Sequence, residues 1–288
     1  HKILQNLNKL KIQNVILEAS SHGLKQDRLN NININTAIFT NFSRDHLDYH
    51  KNFKNYLNAK LDLIRNHTNN NSIAVINSDN KYSQYFYETC KKQKVKILDF
   101  GKRASFLKIK KILKEEKKFI VKLFFKNQLF TIELRCLSEF QIYNQLSSLV
   151  LVYGDKLKLE NFNILNTLND PRGRLEKVYD KEYKIFIDYA HTPDALRNVL
   201  KSLRDNTPKK IITLIGCGGD RDKGKRHLIT KQAVKYSDLV ILADDNPRNE
   251  DPSKIRLEMI KGLKHGEIEK VFNIGDREKA ITKGVKLL

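Results

Sequence analysis

The sequence predicts an α/β protein built from two successive, mostly parallel sheets. Short apolar runs alternate with stretches whose apolar residues recur at helical spacing, which is the βα pattern of a parallel sheet. Most of these runs end in polar loops that carry Asp, Glu, His or Arg. One stretch, residues 106–134, breaks the alternation with consecutive β-type runs, as an antiparallel appendage would.

Composition bounds the answer. With 288 residues, 40% hydrophobic, the chain has enough apolar material for two modest cores. No apolar run approaches the ~20 residues of a membrane-spanning helix, and no signal peptide is visible. The chain starts at His1 and stops inside an expected helix over residues 277–288, so we expect a piece of a longer protein. A net charge of +21 raises the possibility of nucleic-acid binding. The lysines, however, are spread along the whole chain among asparagines and isoleucines, with no arginine-rich arm and no zinc-finger spacing. Such a surface suits anionic small molecules such as nucleotides. Neither nucleic acid nor membrane insertion is expected. Cys90, Cys136 and Cys217 are odd in number and lie in no metal-binding spacing. They indicate structural thiols in a reducing, cytoplasmic setting.

In chain order, Val15-Ile16-Leu17 reads as a strand ending at Glu18, followed by Ala19-Ser20-Ser21-His22-Gly23. Leu24-Lys25-Gln26-Asp27-Arg28 is a binding loop or a solvated one. Residues 36–40 read as a buried strand. They deliver Asn41-Phe42-Ser43-Arg44-Asp45-His46-Leu47-Asp48-Tyr49-His50, the densest chemistry in the chain. Residues 52–64 form a helix, with Phe53, Leu57, Leu61 and Ile64 on one face. Lys60 lies only ~20° around that helix from Phe53. Either its amine snorkels outward or it faces the same edge as His46. Residues 72–76 and 95–100 are further strands, flanking a helix over 82–92. Runs 119–125 and 129–134 pair around Lys126-Asn127. Residues 140–152 are helical and enclose Asn144, a poor helix former that is either incidental or a ligand contact. Asp170-Pro171-Arg172-Gly173-Arg174 is turn chemistry and separates a domain of residues 1–170 from one of 171–288. Beyond it, strands at 185–188, 211–215, 239–242 and 271–274 alternate with helices at 193–203, 228–235 and 252–263. That predicts a second, Rossmann-like parallel sheet.

Ligands bind beyond the carboxyl ends of strands in open α/β sheets. Glu18 and His46, delivered by two strand ends to one edge, suit a hard cation with a phosphate ligand; the alternative is two polar loops after core strands. In the second domain the loops Asp188-Tyr189-Ala190-His191-Thr192-Pro193, Gly216-Cys217-Gly218-Gly219-Asp220-Arg221 and Asp244-Asp245-Asn246-Pro247-Arg248 should share one edge. A ligand would then sit in the cleft between domains. Residues 219–226 nearly spell a Walker A loop, but Arg226 replaces the required hydroxyl and two aspartates would face the phosphates. Arg221 and Arg226 suit an anionic partner such as a carboxylate, or a solvated turn. His46 and His50 have the spacing of zinc proteases, but Leu47 stands where the catalytic glutamate belongs. No nucleophile elbow is present.

Six motifs, in order along the chain, carry a family resemblance: Glu18-Ala19-Ser20-Ser21-His22-Gly23-Leu24, residues 40–50, Gly173-Arg174-Leu175-Glu176, Asp188-Tyr189-Ala190-His191-Thr192-Pro193-Asp194, residues 216–226 and Asp245-Asn246-Pro247-Arg248. Together they resemble the Mur ligases, in particular those adding the third amino acid of the peptidoglycan peptide. The resemblance implies part of a central ATPase domain, then a Rossmann-like C-terminal domain. It implies a cytoplasmic, monomeric, ATP- and magnesium-dependent ligase acting on UDP-N-acetylmuramoyl-L-alanyl-D-glutamate. ATP phosphorylates the glutamate carboxylate, and the incoming amine attacks the acyl phosphate. By the same resemblance Glu18 and His46 hold magnesium, and Lys60 is carbamylated and holds a second ion. Ser20, Gln26 and Arg28 would contact the UDP-sugar-peptide, Asn144 the adenine side, and Arg174 and Asp188 the nucleotide. Arg221, Asp245, Asn246, Pro247 and Arg248 match the enzymes adding meso-diaminopimelate, whose distal carboxylate suits a guanidinium. Lysine-adding relatives and folate or cyanophycin ligases share the ATP machinery but not this set. The family's phosphate loop, its N-terminal domain and its distal Gly-Lys-Gly-His-Glu segment are absent from these residues. The polypeptide alone is therefore expected to be inactive.

Overall fold

The structure, a computed structural model, describes residues 2–116, 118–169 and 171–288. After α1 (Lys2–Lys9) and α2 (Ser21–Lys25), the chain enters a six-stranded sheet. Its first half alternates β1 (Thr36–Phe39), α3 (Leu47–His50), α4 (Phe53–His67), β2 (Ile73–Asn77), α5 (Ser83–Lys92) and β3 (Lys96–Gly101). Then β4 (Leu107–Lys114), β5 (Phe119–Phe125) and β6 (Gln128–Leu134) follow before α6 (Glu139–Tyr153). The strand order is β1-β2-β3-β4-β5-β6, parallel from β1 to β4 and antiparallel from β4 to β6.

The near-continuous apolar run of β2 is explained by burial on both faces. Ala74 and Ile76 pack with Leu57, Leu61 and Phe86 of α4 and α5, while Val75 points to the opposite face with Ile142 and Leu146 of α6. Asn52 starts α4 by accepting the Asn55 amide, and Gln141 starts α6 by accepting the Ser138 amide. Lys126 and Asn127 both have positive φ, the geometry a two-residue hairpin requires. The expected antiparallel appendage is thus present, with β4 added to the two strands predicted.

Next come β7 (Glu176–Asp180), β8 (Lys184–Ile187), α7 (Pro193–Asn206), β9 (Ile212–Ile215), α8 (Arg226–Tyr236), β10 (Leu239–Leu242), α9 (Pro252–Ile260), α10 (His265–Ile268), β11 (Val271–Asn273) and α11 (Arg277–Lys286). Strands β11-β10-β9 form a parallel sheet. Val240 and Leu242 face one core with α8 and α9, and Ile241 faces Ala280 of α11 on the other side.

Two strand expectations fail. Val15-Ile16-Leu17 pairs with no strand among the described residues, and Val15 and Ile16 are exposed, Ile16 by 79%. An apolar run becomes a strand only where a ladder partner exists, and none meets it here. The run at 185–188 was expected in the parallel sheet. As β8 it instead forms a separate antiparallel hairpin with β7, its neighbour across a short turn. Of the predicted boundary turn at 170–174, Asp170 lies outside the described residues.

Candidate active site

The loop after β1 is the stretch in which the sequence concentrates Asp, His and Arg. Phe42 anchors its start in the core against Tyr56, and α3 and α4 hold its end. His46 precedes α3 with φ +55°, an uncommon conformation outside glycine. Its ring is half-buried and edge-on to His22 at a 4.6 Å centroid distance. Burial pushes its pKa down to about 4, against the pull of Asp45. A neutral imidazole with a free lone pair is a metal ligand. His50 is different: buried, it bonds Ser21 Oγ through Nε2 at 2.9 Å. The His46–His50 pair is therefore not a ligand pair.

Lys60 is half-buried on α4, its amine 6.0 Å from the Tyr56 ring. Burial lowers its pKa, while Glu18 and Asp45 pull it upward. Glu18 comes from an extended segment ahead of α2, not from a strand end. No group of three or more His, Cys, Asp or Glu side chains is placed to hold a metal among the described residues. Lys60 is within electrostatic reach of both Glu18 and His46, and as a carbamate it would make the three a set of oxygen and nitrogen donors. That is a fit for a hard cation, conditional on the modification.

The residues sequence reasoning missed are those joining the two sheets. Asp45 is buried and accepts from Lys225 Nζ at 2.9 Å and His191 Nε2 at 3.1 Å. His46 Nε2 lies 3.4 Å from the same Oδ2 that His191 reaches. Burial alone would raise the Asp45 carboxyl, but the hydrogen bonds from His191 and Lys225 hold it well below the usual range. Beside it, Arg44 grips Asp222 with two bonds of 3.0 and 3.1 Å. All five residues lie inside the motifs of the sequence. Contacts spanning 146 to 180 residues leave no local trace.

Between these loops lies a cleft of about 690 Å³, lined on one side by Arg44 and Asp48 and on the other by Asp220 and Arg221. This is the expected inter-sheet cleft. Burial lowers the His22 pKa, and the exposed Arg221 lies close enough to lower it further. Arg226, offered with it for an anionic partner, is not free for one. It is 1% exposed and bonded to Glu250 and Glu258. Glu250 in turn accepts the Asp220 amide at 2.6 Å. This triad locks the Gly216–Arg221 loop to the Asp245–Glu250 loop. Gly219 has to be glycine, since a Cβ there would stand 1.8 Å from the Pro247 carbonyl oxygen. Arg248 is exposed and donates Nη1 to the Gly219 carbonyl at 2.7 Å, with Asp245, Asn246 and Pro247 forming the turn before it.

The remaining candidates sit around this centre. Ser20 accepts the Gly23 amide and caps α2, while Gln26 and Arg28 are exposed after it. Asn144 is exposed on α6, and among the described residues its carbonyl accepts from the hydroxyls of Ser147 and Ser148. Asp188 accepts the amides of Leu175 and Ala190, both at 2.7 Å. Arg174 stacks on Tyr189 at 4.6 Å. Burial pushes the Cys217 thiol up to about 11, so it is a packed filler.

Comparison with known proteins gives a consistent picture. Residues 1–152 match the Mur ligase middle domain, and residues 173–288 the Mur ligase glutamate ligase domain. A UDP-N-acetylmuramoyl-L-alanyl-D-glutamate--2,6-diaminopimelate ligase from Rickettsia montanensis is 38% identical over all of this chain, which spans 59% of that relative's length. A solved structure of a ligase of the same name is 34% identical, with a TM-score of 0.57, covering 93% of this chain and 55% of that one. Folylpolyglutamate synthase from Mycobacterium tuberculosis, complexed with ADP and AMPPCP, shares the fold at 19% identity and a TM-score of 0.72, covering 90% of this chain and 58% of that one.

Proposed function

The chain belongs to the Mur ligase family, and on that premise we propose that it serves an ATP-dependent, cytoplasmic ligase joining meso-diaminopimelate to UDP-N-acetylmuramoyl-L-alanyl-D-glutamate. It does so as two domains, divided at residues 170–171. One observation carries the reading: Asp45 ties the His46 loop to both the His191 loop and the Lys225 loop. That supports a reading in which the end that would activate a carboxylate and the end that would receive an amine share one cleft.

In this reading Glu18, His46 and carbamylated Lys60 would hold magnesium, which would supply positive charge to offset the negative charge building on transferring oxygens. Ser20, Gln26 and Arg28 orient the UDP-linked substrate so that its free glutamate carboxylate enters the cleft. Asn144 flanks the adenine. Asp188, already fixed by two amides, has lone pairs left for a ribose hydroxyl, and Arg174 reaches the phosphates. The carboxylate becomes an acyl phosphate, and the amine of diaminopimelate displaces phosphate from it. Arg221 and Arg248, held by the Asp245–Asn246–Pro247 turn, take the distal carboxylate of diaminopimelate.

The test is ligation by the full-length protein, followed as phosphate release. We expect it to require ATP, the UDP-linked dipeptide and meso-diaminopimelate. Equal turnover with L-lysine would move the protein to the lysine-adding branch. Turnover with a folate and glutamate would refute the cell-wall assignment.

A further inference from the structure

We propose that Asp45 is the positioning residue for His46, fixing which ring nitrogen is free, and that it holds this arrangement only while Lys225 and His191 grip it from the loops after β9 and β8. The proposal rests on the reading of His46 as a metal ligand.

A ligand histidine must keep one nitrogen lone pair, and a carboxylate facing the other nitrogen sets which one. Here the Asp45 carboxylate lies 3.4 Å from His46 Nε2. The proton therefore belongs on Nε2, and Nδ1 is left open. The ring has little freedom to turn away, being edge-on to His22 at 4.6 Å and to Tyr56 at 5.8 Å.

Asp45 itself is not held by its own sheet. Among the described residues its side-chain hydrogen bonds come from Lys225 and His191, and His191 is fixed by its second nitrogen, Nδ1, 3.0 Å from the Tyr189 carbonyl oxygen. Without those donors, a carboxylate only 8% exposed would be buried with too few partners and would rotate toward water. His46 would then lose the negative charge that faces Nε2 and disfavours a lone pair there. Docking of the second sheet region and preparation of His46 are thus one event, passed through one carboxylate. The adjacent Arg44–Asp222 pair joins the same two loops without touching Asp45, which allows docking and positioning to be separated.

The experiment uses full-length protein labelled with 15N-histidine, with Mn2+ as the metal probe. Three variants are compared: Asp45→Asn, Lys225→Gln and Arg44→Gln. The metal-free protein should show His46 with its proton on Nε2. Asp45→Asn and Lys225→Gln should both disturb that tautomer and weaken Mn2+ binding by ~10-fold or more. Arg44→Gln should leave both readouts as they are in the unaltered protein. An Asp45→Asn variant with the original tautomer and Mn2+ affinity overturns the proposal. So does an Arg44→Gln variant that falls as far as Lys225→Gln, because the effect would then be docking in general. If the unaltered protein binds no Mn2+, the metal-site reading fails, while the tautomer in the Asp45→Asn and Lys225→Gln variants still decides the role of Asp45.

Discussion

Lys60 is half-buried on α4 and has no carboxylate within ion-pair distance among the described residues. An ammonium in that setting favours loss of its proton, and carbon dioxide adds only to the neutral amine. We therefore expect a carbamate signal when the protein is placed in 13C-bicarbonate, and its absence in Lys60→Arg. That variant keeps the cation but cannot become a ligand, so activity should fall by ~100-fold or more. Full activity in Lys60→Arg would remove the carbamate from the mechanism. Arg248 makes a second single-residue case. Among the described residues its guanidinium is committed through Nη1, to the Gly219 and Asn246 carbonyls, which leaves its other nitrogens for a ligand. Arg248→Ala should raise the diaminopimelate KM by the equivalent of ~2–4 kcal/mol, with a smaller change in the KM for ATP. Unchanged diaminopimelate kinetics would sink the substrate assignment.

At the scale of elements, several residues assigned to ligands also hold local structure. Ser20 caps α2 through the Gly23 amide, so Ser20→Ala should cost ~1 kcal/mol of stability as well as substrate affinity. Thermal unfolding beside substrate KM separates the two. Arg226 is the stronger case. Fully buried between Glu250 and Glu258, which are themselves partly exposed, it joins two loops, and Arg226→Ala removes charge-assisted hydrogen bonds at a cost of ~1.5–3 kcal/mol. A variant of wild-type stability would show that the triad contributes nothing. The sequence placed Arg226 in a binding loop because a charged run next to glycines looks the same whether its partner is a ligand or a distant glutamate. The same limit explains the strand errors. Periodicity located the longer helices and most strands, since those signals are local, but gave neither the short helices α1, α2, α3 and α10 nor the strands β4 and β7. It could not tell that 185–188 would pair with β7, or that 15–17 would find no neighbour, because pairing is decided by what lies alongside. Six motifs marked the loops that matter. The bonds of Asp45, which organise those loops, became visible only in three dimensions.

The whole molecule is organised by how its two sheet regions meet, and that junction depends on protonation. Both nitrogens of His191 face acceptors, the Tyr189 carbonyl and the Asp45 carboxylate, so the ring is best satisfied as the doubly protonated cation. The Asp45 hydrogen bond accordingly raises the His191 pKa, against the effect of burial. A group whose folded pKa is raised contributes stability in full below its unfolded value of ~6.5, and that contribution fades as pH climbs through the folded value. Asp45 behaves oppositely. Its folded pKa is depressed, so its contribution is complete above the ordinary carboxylate range of ~4 and fades only in strong acid. The bridge is thus whole from mildly acidic to near-neutral pH and weakens on the alkaline side. Weakening there is partial, because Lys225 keeps its own bond to Asp45. His191→Gln keeps a polar ring-sized group but no titratable charge. The stability gap between the unaltered protein and this variant, measured by denaturant unfolding, should be widest near pH 6 and shrink as the solution becomes alkaline. A gap that stays constant across that range would mean that the two sheet regions meet without help from the His191 charge.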